Sequence, residues 1–191
     1  QHKLAYDDAL GSMVLFGGST TWPGFTPSDE TWLLQKNDGA GVRVDTAGDV
    51  GRWTSIAIGA DGLPIVSYHD ETNGDVKVAH CGSPDCSLGN ILTAIDGTSG
   101  DDVGDYGTSI AIGADALPIV ASYDFTNQKL RIAKCGDASC STACGGGTTC
   151  NTLTNNGCNA GTPGATGANP SIAIGLDGLP FVAYHGNELC V

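Results

Sequence analysis

Short apolar runs alternate with polar positions along most of the chain, and Gly, Pro, Asn or Asp residues interrupt these runs at regular intervals. A period of two predicts β-strands rather than helices. Between residues 54 and 95 the Asn73-Gly74 pair predicts a hairpin turn, and the apolar runs predict four strands at about Thr54–Ile58, Pro64–His69, Asp75–Cys81 and Asn90–Ile95. We therefore expect an all-β fold built from four-stranded antiparallel meanders.

The main signal in the chain is an internal repeat. The segment SIAIGADGLPIV at residues 55–66 returns with few changes at 109–120 and again at 171–182, a spacing in the range of propeller blades. A stretch rich in Gly, Thr, Asn and Cys, residues 141–167, lengthens the third unit and is predicted to be a loop insertion. One meander cannot bury both of its faces, whereas neighbouring sheets packed face to face can. The repeats predict one domain over residues 1–191, a β-propeller or part of one, with units at about 1–50, 51–104, 105–166 and 167–191.

The first fifty residues have a different sequence with the same rhythm. An apolar run at residues 13–16 ends in Gly17-Gly18, and Trp32 follows on the next predicted strand. This arrangement resembles a Kelch repeat, and the three later units resemble the propeller repeats of secreted bacterial proteins. The resemblance implies a propeller fold and little about chemistry, because propellers carry many unrelated functions.

The last unit ends before its fourth strand, so the sequence predicts an open sheet edge after Val191. Three arrangements are compatible with this edge. The chain is a piece of a larger ring, four blades close with one short blade, or another copy or a partner strand covers the edge.

Charge narrows the classes of partner. Lys and Arg total 8 against 21 Asp and Glu, which gives a formal net charge of −13. Such a chain is repelled by nucleic-acid phosphates and by anionic membrane surfaces, and no apolar run is long enough to cross a bilayer. We therefore expect neither nucleic-acid binding nor membrane insertion.

The eight cysteines indicate an oxidising compartment. Cys81 and Cys86 flank a predicted tight turn, and Cys135 and Cys140 repeat the same spacing. We predict a structural disulfide in each pair rather than a zinc site, because paired Cys-x2-Cys spacing is missing. The pairing of four further cysteines stays open: Cys144, Cys150, Cys158 and Cys190. A secreted or cell-surface location follows as the expectation.

Most of the acidic residues fall on one face of the predicted sheets, where the turns between second and third strands meet the linkers between units. The densest acidic run offers hard oxygen ligands between glycines, as calcium requires. Its candidate ligands for Ca2+, with a solvated acidic loop as the alternative, are Asp96, Asp101, Asp102 and Asp105.

In the three later units the second strand ends in a residue with a polar aromatic ring, and we call this place the ring position. His69 and His185 occupy equivalent positions, and Tyr123 takes that place in the third unit. A His or Tyr beside carboxylates can hydrogen-bond a sugar or act as a general base; the alternative is a polar residue that merely ends each strand. Candidate ligand-binding residues are therefore His69, Asp70, Glu71, Tyr123, Asp124 and His185. Aromatic residues that either stack on a sugar or pack between blades are Trp22, Trp32, Trp53, Tyr68 and Tyr184.

No catalytic motif accompanies these residues. The sequence lacks Gly-x-Ser-x-Gly, a phosphate loop, His-Glu-x-x-His, a dinucleotide fingerprint and the sialidase Asp-box. We interpret the chain as an extracellular, non-enzymatic binding or structural module with a carbohydrate or protein ligand. Two alternatives stay open: a glycan-processing enzyme with carboxylates converging in a funnel, and a structural repeat of a surface assembly or filament.

Overall fold

The computed structural model describes residues 3–7, 12–16, 32–34, 41–97, 100–143, 149–153, 167–186 and 189–190. Every regular element in this part of the chain is a β-strand. The strands are β1 Lys3–Asp7, β2 Ser12–Phe16, β3 Trp32–Leu34, β4 Gly41–Arg43, β5 Val50–Ile58, β6 Pro64–Asp70, β7 Asp75–His80, β8 Ile91–Asp96, β9 Val103–Ile112, β10 Pro118–Asp124, β11 Lys129–Lys134, β12 Thr149–Leu153, β13 Ala168–Ile174, β14 Pro180–His185 and β15 Leu189–Cys190.

The strands form five antiparallel sheets that follow chain order. Two are four-stranded meanders, β5-β6-β7-β8 and β9-β10-β11-β12, and the others are β1-β2, β3-β4 and β13-β14-β15. The predicted hairpin at Asn73-Gly74 is present, with Asp70 paired to Asp75 across it. The all-β, antiparallel prediction is thus confirmed, and the four-stranded meander is present in the second and third units, whereas β1 to β4 form two two-stranded sheets and the sheets form no closed ring within the described residues.

One boundary differs from the prediction by four residues, whereas the others agree within one residue. The first strand of the second unit begins at Val50 rather than at Thr54, because a β-bulge lets it continue past an irregular step. Gly51 (φ 93°) and Trp53 (φ 54°) create this bulge. The same pair of positive φ angles recurs near the start of β9 and β13, at Gly104 with Tyr106 and at Gly167 with Asn169. A non-Gly residue in this region of φ costs about 1–3 kcal/mol, so surrounding contacts must hold the bulge in place.

At Gly104, as at Gly167, glycine is required for space as well as for φ. A Cβ added at Gly104 would lie 2.8 Å from Val76 Cγ2 and 3.3 Å from the His69 ring. The bulge of β9 therefore approaches the preceding sheet where only hydrogen atoms fit, and it lies beside His69.

The hydrophobic core lies between sheets rather than inside any one of them. Apolar side chains of β6, β7 and β8 pack against β9 and β10 in one cluster, and β10 and β11 pack against β13 in another. Every residue of β6 and of β10 is buried, because each strand is covered on both faces.

Two repeated hydrogen bonds join the first strands of successive sheets. Ser55 Oγ accepts from the Ile110 amide at 3.2 Å, and Ser109 Oγ accepts from the Ile172 amide at 3.1 Å. The repeated Ser of the SIAIGADGLP motif is thus the acceptor that fixes one sheet against the next. Ser171, the third copy, is exposed.

The two predicted disulfides are present, and both close a turn that follows the third strand of its sheet. The bonds are Cys81–Cys86 and Cys135–Cys140, with Cα–Cα distances of 4.7 and 5.0 Å. Of the four unassigned cysteines, Cys150 and Cys190 lie in β12 and β15, and Cys144 and Cys158 lie outside the described residues, as do Gly17-Gly18, Trp22 and the predicted edge after Val191.

Candidate functional site

The end of β6 meets the bulged start of β9 at a polar group centred on His69. The imidazole is buried, with 1% of its surface exposed. His69 Nε2 lies 3.1 Å from Asp102 Oδ1, and Nδ1 lies 3.6 Å from Glu71 Oε2. The Asp105 carboxylate completes the group, since one ligand atom from each of His69, Glu71 and Asp105 lies within 4.8 Å of the others. We call these three side chains the His69 group.

Three aromatic rings form a stepped row beside the His69 group. Trp53 stacks on Tyr106 with centroids 5.9 Å apart, and Tyr106 stacks on Phe125 at 5.8 Å. The interplanar angles are 22° and 16°, so the three rings are nearly parallel. Tyr106 and Phe125 keep 44% and 47% of their surfaces exposed. We call Trp53, Tyr106 and Phe125 the aromatic row.

The aromatic row depends on the repeated bulges. Trp53 and Tyr106 are the non-glycine residues of β5 and β9 that have positive φ. Their rings lie on neighbouring sheets and stack on each other. Asp105 then links the row to the His69 group, because its Oδ1 accepts from Trp53 Nε1 and from the Tyr106 amide, both at 2.9 Å. The two residues with strained backbone therefore lie where the aromatic row meets the Asp105 carboxylate.

Two predicted ligand-binding acids are internal to the fold. Asp70 and Asp124 are buried, and each carboxylate accepts from the backbone amide and side-chain amide of the Asn three residues later, Asn73 and Asn127. Both carboxylates fix the hairpin turn after the second strand. Their lone pairs are used inside the protein, which leaves little for a ligand.

The ring positions of the other units lie in different surroundings. Tyr123 is buried and meets Tyr106 edge to face at 6.3 Å; burial, followed by the neighbouring Asp124 charge, raises the pKa of Tyr123. His185 is exposed at the end of β14 in the last described sheet. Among the three equivalent ring positions, His69 is the one that adjoins Glu71 and Asp105.

The four candidate calcium ligands have different partners. Asp96 is buried and accepts two hydrogen bonds from Arg131, Asp102 contacts His69, and Asp105 holds Trp53. Asp101 lies in the turn just before β9. Within the described residues the group of three or more metal-ligating side chains is the His69 group, which contains one of these four acids. The calcium hypothesis stays a prediction.

Sequence reasoning missed Tyr106 and Phe125. Val50-Gly51-Arg52-Trp53 aligns with Val103-Gly104-Asp105-Tyr106, and His69-Asp70-Glu71 aligns with Tyr123-Asp124-Phe125. This alignment would have placed Tyr106 beside Trp53 on neighbouring sheets. The alignment would not have shown that the two rings stack. The third unit has one extra residue, Gly107, and its effect on the position of Tyr106 depends on backbone geometry.

A scan against protein-family models finds no match to this chain, and a search of curated proteins finds none either. In the part of the chain that the structure describes, no helix has the length and apolarity needed to cross a membrane.

Proposed function

We propose that this chain is an extracellular, non-enzymatic carbohydrate-binding module built as a β-propeller or a section of one. The observation that carries the proposal is the aromatic row, because its two exposed rings, Tyr106 and Phe125, offer aromatic surface of the kind on which sugars pack their apolar C–H groups. A core aromatic residue would be covered, whereas Tyr106 and Phe125 remain about half exposed.

The polar groups beside the row suit hydroxyl-rich ligands. The carboxylates of Glu71 and Asp102 are both partly exposed, and ionised carboxylates accept hydrogen bonds from sugar hydroxyls. The net charge of −13 repels anionic polysaccharides. We therefore expect neutral glycans or amino-sugar polymers as the ligand class.

The propeller part of the proposal draws support from the repeated contacts between sheets. At two successive sheet junctions a backbone amide donates to the repeated serine: Ile110 donates to Ser55 and Ile172 donates to Ser109. A constant junction rotates each sheet by a similar step relative to the one before it, which is how a radial array is built. The extracellular part draws support from the two disulfides, since such bonds persist in oxidising compartments.

Affinity electrophoresis in gels that contain a soluble neutral glucan, a soluble mannan or a partially deacetylated amino-sugar polymer tests the proposal. We expect at least one polymer to retard the wild-type chain and Tyr106→Ala to weaken that retardation about tenfold, the equivalent of a lost stacking contact. Phe181→Ala is the matched control, because Phe181 is an exposed ring on the last sheet. Equal retardation of the wild type and the Tyr106 variant would contradict the proposal. Release of reducing ends from a retarding polymer would favour the glycan-processing alternative.

A structural role in an assembly is the second candidate, and the last sheet favours it. In β14, Phe181 is 60% exposed, and Leu179 just before the strand is also 60% exposed, whereas the equivalent strands β6 and β10 are buried throughout. Sedimentation velocity of the wild type and of Phe181→Asp tests this candidate. Concentration-dependent association that the variant abolishes would favour an assembly, and a wild-type monomer at high concentration would contradict it.

A further inference from the structure

We propose that the His69 group binds one divalent transition-metal ion of the zinc type, with His69 Nδ1 and the carboxylates of Glu71 and Asp105 as ligands. This site shares Glu71 with the sugar-binding proposal but does not rest on that proposal, because the metal alone is its ligand.

The tautomer of His69 follows from its neighbour on β9. Asp102 Oδ1 lies 3.1 Å from His69 Nε2, and an ionised carboxylate only accepts hydrogen bonds. In the neutral ring Nε2 therefore carries the proton, and Nδ1 presents a lone pair. A carboxylate behind the protonated nitrogen of a histidine is the usual support of a metal-ligating imidazole, because it orients the ring and makes the free nitrogen a stronger base.

The free nitrogen lacks a partner inside the protein. His69 Nδ1 is buried and has no hydrogen-bond partner, although buried polar atoms are normally paired. It points to the side where Glu71 Oε2 lies 3.6 Å away, a separation beyond hydrogen-bond length. An ionised carboxylate cannot donate to this lone pair, whereas a metal cation placed between the two atoms would bind both of them.

The surrounding charge favours such a cation. Glu71 and Asp102 lie at the two ring nitrogens of His69 and Asp105 lies nearby, so three carboxylates contribute negative charge, and Arg52 beside Glu71 contributes positive charge. Arg52 Nη1 contacts Glu71 Oε2 at 3.2 Å while Nη2 contacts Asp49 at 2.9 Å. The guanidinium is thus shared between Glu71 and Asp49, and the three carboxylates near His69 outnumber this one cation.

The donor set selects the type of metal. One imidazole nitrogen with two carboxylates suits zinc and its neighbours, whereas calcium and magnesium prefer ligand shells made of oxygen alone. One ligand atom from each of the three residues already lies within 4.8 Å of the others, and Glu71 is an exposed side chain that can rotate inward to shorten this span. Water would complete the coordination.

The internal repeat provides a comparison within the same molecule. In the third unit the positions of His69 and Glu71 are taken by Tyr123 and Phe125, which belong to aromatic contacts instead. The fourth unit keeps the histidine as His185 but has Asn187 in the position of Glu71, so the histidine followed two residues later by a carboxylate occurs in one of these three units. The His69 group is therefore a feature of one unit rather than a by-product of the repeat.

Isothermal titration of the intact, chelator-treated chain with zinc alone, and separately with calcium, tests the inference. We expect one zinc ion per chain with an affinity that Glu71→Gln lowers at least tenfold and that Asp102→Asn lowers about 10–100-fold, the range for a lost carboxylate behind a ligating histidine. His80→Gln is the matched control, since His80 is also buried beside a carboxylate, with Nε2 2.8 Å from Asp61 Oδ2, and it should leave zinc binding unchanged.

Asp102→Asn distinguishes a His69 that ligates a metal from a His69 that only packs in the fold, because the variant keeps a polar side chain of the same size at position 102. A second readout is the cobalt-loaded protein, whose visible absorption should change in Glu71→Gln. Zinc affinity that is the same in the wild type and in Glu71→Gln, binding of calcium more tightly than zinc, or no saturable zinc binding by a folded wild-type chain would each overturn the inference.

Discussion

Arg131 on β11 donates two hydrogen bonds of 2.6 Å, from Nε and Nη2, to the two oxygens of Asp96 at the end of β8. The two residues belong to different sheets, so this bidentate pair ties the third unit to the second. Burial of Arg131 opposes its charge, but the hydrogen bonds to Asp96 together with the charges of Asp96 and Asp124 outweigh this effect and raise the pKa of the guanidinium. One junction earlier, Lys77 Nζ contacts Asp45 at 2.5 Å in the same relative position.

Replacing Arg131 should therefore destabilise the fold. Arg131→Met leaves the buried Asp96 carboxylate without its cation, and we expect the free energy of unfolding to fall by about 3–5 kcal/mol. Urea denaturation followed by tryptophan fluorescence measures the change. Arg131→Lys should lose less, because it keeps the charge but not the planar pair of donors. A loss below about 1 kcal/mol in Arg131→Met would contradict the importance of this pair.

The serine junction makes a second prediction. Ser109→Ala removes the acceptor of the buried Ile172 amide, and an unsatisfied buried donor costs about 1–3 kcal/mol. Ser171→Ala is the control at the same repeat position, where the side chain is exposed; it should change stability by less than about 0.5 kcal/mol. Equal effects of the two substitutions in urea denaturation would show that the Ser109 contact contributes nothing particular.

Each disulfide closes a short loop. For a separation of five residues, removal of Cys81–Cys86 should lower the free energy of unfolding by about 2 kcal/mol, mainly because the unfolded chain gains freedom. The double variant Cys81→Ala/Cys86→Ala tests this without reducing the other cysteines. The corresponding variant at Cys135 and Cys140 should show a similar loss, and an unchanged melting temperature in both would exclude a stabilising role.

The stapled turns also confer a dependence on acid pH. Hydrogen bonds from Ser83 and then Ser87 lower the pKa of Asp85 to about 2. In the second turn, hydrogen bonds chiefly from Ser139, with Ser141 adding to them against slight burial, lower the pKa of Asp137 to about 2. A carboxyl whose pKa is lower in the folded state stabilises the fold above its unfolded pKa of about 3.9, and this contribution disappears as the pH falls through the folded value.

We therefore expect the melting temperature of the wild type to fall more steeply between pH 4 and pH 2 than that of the double variant Asp85→Asn/Asp137→Asn. Differential scanning calorimetry at several pH values measures both curves. Parallel curves over this interval would contradict the assignment of the acid sensitivity to these two turns.

The strands and their order could be predicted because the signals are local. Alternation of apolar and polar residues, the Asn73-Gly74 turn and the returning SIAIGADGLP motif each act over a few neighbouring residues. The cysteine spacing is local as well, and for that reason Cys81–Cys86 and Cys135–Cys140 could be paired while the four scattered cysteines could not.

The candidate site was decided by tertiary structure. Trp53 Nε1 and Asp105 are 52 residues apart in the chain, and only the stacking of one sheet on the next brings them within hydrogen-bond distance. Asp70 and Asp124 illustrate the converse, because acids that the sequence places at a strand end turn out to be buried in their own hairpins. The sequence determines which strands form, because their pattern is short-range. Which side chains meet depends on how one sheet is placed against the next. In this protein the backbone bulges at Trp53 and Tyr106 influence that placement, and the alternation of apolar and polar residues does not reveal them.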